Sequence, residues 1–194
     1  MQELIHNKVK TIAELIDTFN QAQKRYAERS YQFEEQFALF LNKLSGYFGS
    51  RGESARESEV LRIINMLQAV KRGFDPSKME RLRSGKRELL WGYFYVAIEN
   101  VNVLLQEIYH KETAKLEEGD EILSNLILNL VQQEFLTNDM LRELDSISRI
   151  ELFWNTLLTR NGTLSVINRK LHLSMITEDI YLLLEKIISR INTQ

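Results

Sequence analysis

A chain of 194 residues with 25 Lys/Arg against 27 Asp/Glu, 44% hydrophobic content and no cysteine excludes a disulfide scaffold, a thiolate metal site and a cysteine nucleophile. Eight glycines and one proline leave few places where helices must stop, so an all-α fold with one core, or an elongated module plus a small bundle, is expected. Charges fall in every turn of the N-terminus and no apolar run reaches membrane-spanning length, which points to a cytoplasmic protein with no membrane partner.

The charge is unevenly spread. Residues 1–87 hold 16 Lys/Arg against 11 Asp/Glu and residues 88–194 the remaining 9 against 16, giving +5 and −7. Such asymmetry accompanies nucleic-acid arms or acidic tails, or lets the two halves of a chain attract each other.

From Ile5 to Leu44 apolar residues step by four and three: Ile5, Val9, Ile12, Ile16, Phe19, then Tyr26, Phe33, Phe37, Phe40 and Leu44, with Gln23 and Ser30 as polar members. A period near 3.5 over that span predicts one helix about 60 Å long with coiled-coil-like packing, and its polar middle marks either a register device or a bend. The seam outruns any single helix expected later in the chain, so self-association as a homodimer through Ile5, Val9, Ile12, Ile16, Phe19, Tyr26, Phe33, Phe37 and Phe40 is expected, with packing against residues 60–72 of the same chain as the competing arrangement.

Residues 45–59, with three glycines and several serines, read as a loop. A helix ending near Arg72-Gly73 follows, then a connector in which Asp75-Pro76 suits the start of one or two helical turns. Lys86 to Leu116 has the pattern of a second long helix, broad in its apolar face, which Gly119-Asp120 is expected to end. Shorter helices are predicted after Gly119, after a Thr137 cap, from Ser148 with Glu151, over Leu164–Leu173, and from Thr177 onward. The resulting expectation is a long-helix hairpin over residues 1–118, with a basic connector at 71–87, and a C-terminal helical bundle over 119–194 packed on it.

Residues 71–95 hold seven basic side chains and five aromatics. Lys78, Arg81, Arg83, Lys86 and Arg87 are candidates for an anionic partner, nucleic acid included, whereas Trp91, Phe94, Tyr95 and Ile98 recur at helical spacing and read as a core face. Glu3 with His6 and Glu107 with His110 have Glu-x-x-His spacing, but a di-metal bundle needs two further glutamates from other helices, so no metal or other cofactor is expected. No phosphate-binding glycine loop is complete and His172 lacks a recognisable nucleophile and acid partner, so a non-enzymatic scaffold or adaptor that binds a protein partner is the expected function.

Overall fold

The computed structural model describes residues 3–78, 80–81, 85–160 and 162–193, excepting the side chains of Asn138 and Thr163. Among them are eight helices and one minimal hairpin: α1 (Ile5–Ala27), α2 (Phe33–Ser50), α3 (Ser54–Lys71), β1 (Phe74–Asp75), β2 (Glu80–Arg81), α4 (Lys86–Gln132), α5 (Asn138–Glu143), α6 (Ile147–Arg160), α7 (Gly162–Leu171) and α8 (Thr177–Asn192). The all-α expectation holds. The chain forms two compact units, Ile12–Ile108 and Met1–Thr11 with Tyr109–Gln194, and α1 and α4 contribute residues to both.

In the Ile12–Ile108 unit the four-three pattern continues from Phe19 to Phe33, but the helix does not. The Arg29 N–H donates to the Tyr26 carbonyl and the Ser30 N–H to the Arg25 carbonyl, both at 3.0 Å, while Arg29 adopts a left-handed φ of 51°. These two bonds are a Schellman closure with arginine at the position glycine usually holds, a conformation that costs an L-residue about 1–2 kcal/mol.

The return of α2 brings rings together that a straight helix would have strung out. Ring centroids lie 5.5 Å apart for Phe19 and Phe40, 4.9 Å for Tyr26 and Trp91, and 4.9 Å for Phe33 and Phe94. Each such pair contributes about 0.5–1.5 kcal/mol beyond the area it buries, so three outweigh one strained residue.

The expected 60 Å helix and its pairing surface are therefore corrected. Ile12, Phe19, Phe33, Phe37 and Phe40 are at most 3% exposed inside this unit, with Ile16 and Tyr26 half-buried, while Ile5 and Val9 pack in the other unit. Among the described residues the seam is thus divided between two helices and two units rather than running along one rod.

Two further boundaries move. α2 runs through Gly46 and Gly49 because Leu44, Ser45 and Phe48 are buried, and the expected loop at 45–59 shrinks to residues 51–53, closed by Gly52 at φ 70°. Asp75 does not start a helix. Its carboxylate accepts the Ser77 N–H at 2.9 Å, the Ser77 hydroxyl at 2.7 Å and the Tyr93 hydroxyl at 2.9 Å, forming an Asx-type turn in the hairpin, whose strands pair Phe74 with Arg81 and Asp75 with Glu80.

The expected helix end at Gly119 is also corrected, since α4 runs through it to Gln132. A Cβ at Gly119 would lie 2.4 Å from Met175 Cε and 2.9 Å from Leu183 Cδ1, so glycine serves close packing against the α7–α8 region here rather than helix termination. α4 ends instead in a second Schellman closure, with Glu134 at φ 58° and the Phe135 N–H donating to the Leu130 carbonyl at 3.0 Å.

The core of this second unit joins Leu123, Ile127, Ile150, Trp154, Leu164, Met175 and Leu184 from α4, α6, α7, α8 and the turn before α8. The buried Trp154 ring N–H donates to Asn168 at 3.2 Å, and the Thr137 hydroxyl caps α5 by accepting the Met140 N–H, as its sequence predicts. α6 starts at Ile147, with the Ser146 carbonyl accepting the Ile150 N–H at 3.0 Å, so the expected box at Ser148 lies two residues too late.

Asp179, in the first turn of α8, is fully buried. It accepts the Ile5 N–H at 3.0 Å and the His6 N–H at 3.2 Å, and lies 2.8 Å from His6 Nδ1, so a carboxylate 174 positions away caps α1. Burial pushes its pKa up, but the His6 ring and the two amides outweigh burial and hold it below the ordinary 3.8.

Asp179→Ala should cost about 2–4 kcal/mol in urea unfolding at neutral pH, because it strands two helix-start amides and the His6 ring. A depressed folded-state pKa stabilises above the unfolded value and loses that contribution as pH falls through the folded one, so the wild-type advantage should vanish on acidification below 3.8. Phe33→Ala should cost about 3–5 kcal/mol with a midpoint independent of protein concentration, whereas an intermolecular seam would make the midpoint concentration-dependent. Gly92→Ala, where nothing lies within 4 Å of the added methyl, should stabilise by about 0.5–1 kcal/mol, while Gly119→Val should destabilise by about 1–3 kcal/mol.

Candidate functional site

The Ile12–Ile108 unit carries a cleft of about 460 Å³ built by two segments far apart in sequence. The closure between α1 and α2 supplies Arg29, Ser30 and Tyr31, the start of α2 supplies Glu34, and the first turns of α4 supply Lys86, Arg87, Leu90 and Trp91. Leu90 is buried and Trp91 half-buried, so they form an apolar floor, while Tyr31 is 89% exposed and stands free of the core.

Its charge is lopsided. Among the described residues the side chains of Arg29, Lys86 and Arg87 have no hydrogen bond or ion pair, whereas the lone acid, Glu34, is paired with Lys71 at 3.0 Å. Three cations with no partner among the described residues line one concavity, where guanidinium forks and an ammonium suit phosphate or carboxylate oxygens. The Trp91 ring is held from behind by Tyr26 at 4.9 Å and Phe33 at 5.6 Å, and the Tyr26 hydroxyl donates to the Trp91 carbonyl at 3.1 Å.

The basic residues singled out in the sequence divide here. Lys86 and Arg87 line the cleft, but Lys78 and Arg81 do not: Lys78 is exposed in the hairpin turn, and the Arg81 guanidinium sits 5.4 Å from the Phe74 ring. Arg83 lies outside the described residues. Of the residues read as a core face, Phe94 and Ile98 are buried with Trp91 half-buried, but Tyr95 is exposed. Arg29 and Tyr31 were missed because a linear scan for basic clusters does not join residue 29 to residue 87. The polar interruption at Gln23 and Ser30 is the signal that locates the bend.

Asp75 lies at the base of the hairpin, where hydrogen bonds from the Ser77 side chain and then the Tyr93 hydroxyl hold its carboxyl below the ordinary range. Three donors meet on its Oδ1, which makes it the anchor of this turn.

In the other unit a groove of about 550 Å³ runs between α5 and α6. Met140, Leu144, Leu152 and Phe153 give it apolar walls, with Met140 46% and Leu152 70% exposed. Glu143 and Arg149 lie at its margin, where Arg149 donates to the Glu143 carbonyl at 2.9 Å and pairs with Asp145 at 3.2 Å.

The Glu-x-x-His pairs do not build a metal centre. His6 is engaged by Asp179, His110 is exposed beside the Tyr109 ring, and among the described residues no three His, Asp or Glu side chains come together as a ligand set. No described helix is long and apolar enough to cross a membrane. Compared with family models, with curated proteins and with solved structures, the chain shows no significant match.

Proposed function

We propose that this chain is a non-enzymatic helical interaction module, a scaffold or adaptor that recognises a protein partner, with a cytoplasmic setting as part of the same reading. The observation that carries it is the α5–α6 groove, where Met140 and Leu152 stay exposed on two adjoining helices although each would gain by burial. An apolar trough with a charged margin is what an amphipathic partner helix needs: apolar residues at i, i+3, i+4 and i+7 fill the trough, and its polar flank meets Glu143 and Arg149. Shape and margin would then set orientation, with the apolar anchors supplying most of the affinity.

Leu152→Asp and Met140→Asp test this, because both positions are exposed and the variants should keep wild-type stability within about 0.5 kcal/mol. A photo-crosslinker at position 156, beside the trough, should trap a partner in cells with the wild-type chain and lose it in either variant. The same adduct in both variants, or no adduct, would reject this groove as the docking face.

A further inference from the structure

We propose that the cleft lined by Arg29, Tyr31, Lys86 and Arg87 holds a strand of single-stranded nucleic acid, with backbone phosphates on the three cations and a base stacked on Tyr31. This site is separate from the α5–α6 groove and stands whether or not that groove binds a partner. The chemistry of the ligand follows from what lines the cleft. Arg29, Lys86 and Arg87 have no described partner, and Glu34, the acid that shares their cleft, is already paired with Lys71. The cleft therefore selects an anion, and one with charge spread over more than one group, since the cations come from two separate segments.

The aromatic wall narrows the choice. Tyr31 is 89% exposed, with its hydroxyl accepting from the Gln32 side-chain amide at 3.1 Å, and base stacking on such a platform is sequence-tolerant because every base presents a π-face. A simple anion such as phosphate or sulfate would leave that wall unused. A free mononucleotide shares the phosphate-and-base chemistry, and about 460 Å³ would admit one. However, small-molecule sites enclose most of their ligand, and here Tyr31, Lys86 and Arg87 are themselves exposed, so the concavity is an open groove through which a chain can pass.

Arg29 supplies an independent argument. It holds a left-handed backbone at φ 51° in a closure where glycine would relieve the strain, and its side chain is among those lining the cleft. That closure fixes in advance the backbone on which Arg29 and Tyr31 reach the cleft.

The test is fluorescence anisotropy with the full chain and a labelled oligothymidylate of about twelve nucleotides. Saturable binding is expected at about 50 mM salt, with log affinity falling against log salt at a slope near −2, as about three phosphate contacts to a single strand require. Arg29→Gly should weaken binding roughly 10-fold while the thermal midpoint stays level or rises, which separates loss of contact from loss of fold. Tyr31→Ala should weaken it by about 5- to 100-fold, Lys86→Gln with Arg87→Gln should flatten the salt slope, and Lys78→Gln should change nothing. Adenosine monophosphate and a duplex of equal length form the comparison arms. No saturable binding of the oligonucleotide, equal affinity for wild type and both Arg29→Gly and Tyr31→Ala, or binding of the mononucleotide with none of the strand, would each overturn the proposal.

Discussion

The Ile12–Ile108 unit hangs on one backbone reversal. Arg29, at φ 51°, ends α1 so that Tyr26 and Phe33, seven positions apart on what reads as a single seam, meet with their ring centroids 5.2 Å apart. Without the reversal Phe33, Phe37 and Phe40 would continue along a rod and need an external partner. With it they close on Phe19, Trp91 and Phe94, and the apolar edge is used up locally. The same seam residues thus support two architectures of opposite oligomeric consequence. What decides between them is a local strain of about 1–2 kcal/mol set against several aromatic contacts of about 0.5–1.5 kcal/mol each.

That balance explains which boundaries were legible. Helix class and the existence of the helices follow from periodicity, the cap at Thr137 stands where side-chain chemistry puts it, and α8 starts at Thr177 with Glu178 and Asp179 in its first turn although its N-cap, Ile176, makes no side-chain bond. Closures at Gly52 and Gly73 could also be read, because glycine takes a positive φ without strain. The closure at Glu134 could not, and the one at Arg29 shows only as the polar interruption at Gln23 and Ser30, since both residues are good helix formers whose left-handed backbone is imposed by packing. Glycine misleads in the other direction at 46, 49 and 119. There the buried side chains of Leu44 and Phe48, or the close approach of Met175 and Leu183, keep the backbone helical through a residue that in isolation would end it.

The basic connector teaches the same lesson about charge. Counting cations along residues 71–87 suggests one patch, but tertiary structure assigns its members separate tasks: Lys71 to Glu34, Arg81 to the Phe74 ring, and Lys86 with Arg87 to a cleft completed by Arg29. Linear density found two of the three cleft cations and missed the third, fifty-eight positions from Arg87 in sequence. Asp179 shows a similar limit. Its place in the first turn of α8 was readable, while its bonds to Ile5 and His6 span almost the whole chain and leave no local trace.

Core and cleft in the Ile12–Ile108 unit are not independent, and this bears on how binding there would work. Trp91 gives the cleft part of its floor while its ring rests on Tyr26 and Phe33, and its carbonyl accepts the Tyr26 hydroxyl. The floor is therefore fixed before any ligand arrives. Arg29 and Ser30 stand on a closure pinned by two backbone hydrogen bonds at 3.0 Å, so their main chain is also set in advance. Only the outer side chains of Tyr31, Lys86 and Arg87 remain to be ordered, at about 0.5–1.5 kcal/mol for each immobilised side chain. A rigid base with a few mobile arms lowers the entropic cost of association while leaving the arms free to follow a flexible polyanion. The reversal that completes the core is thus also what holds the cleft in shape.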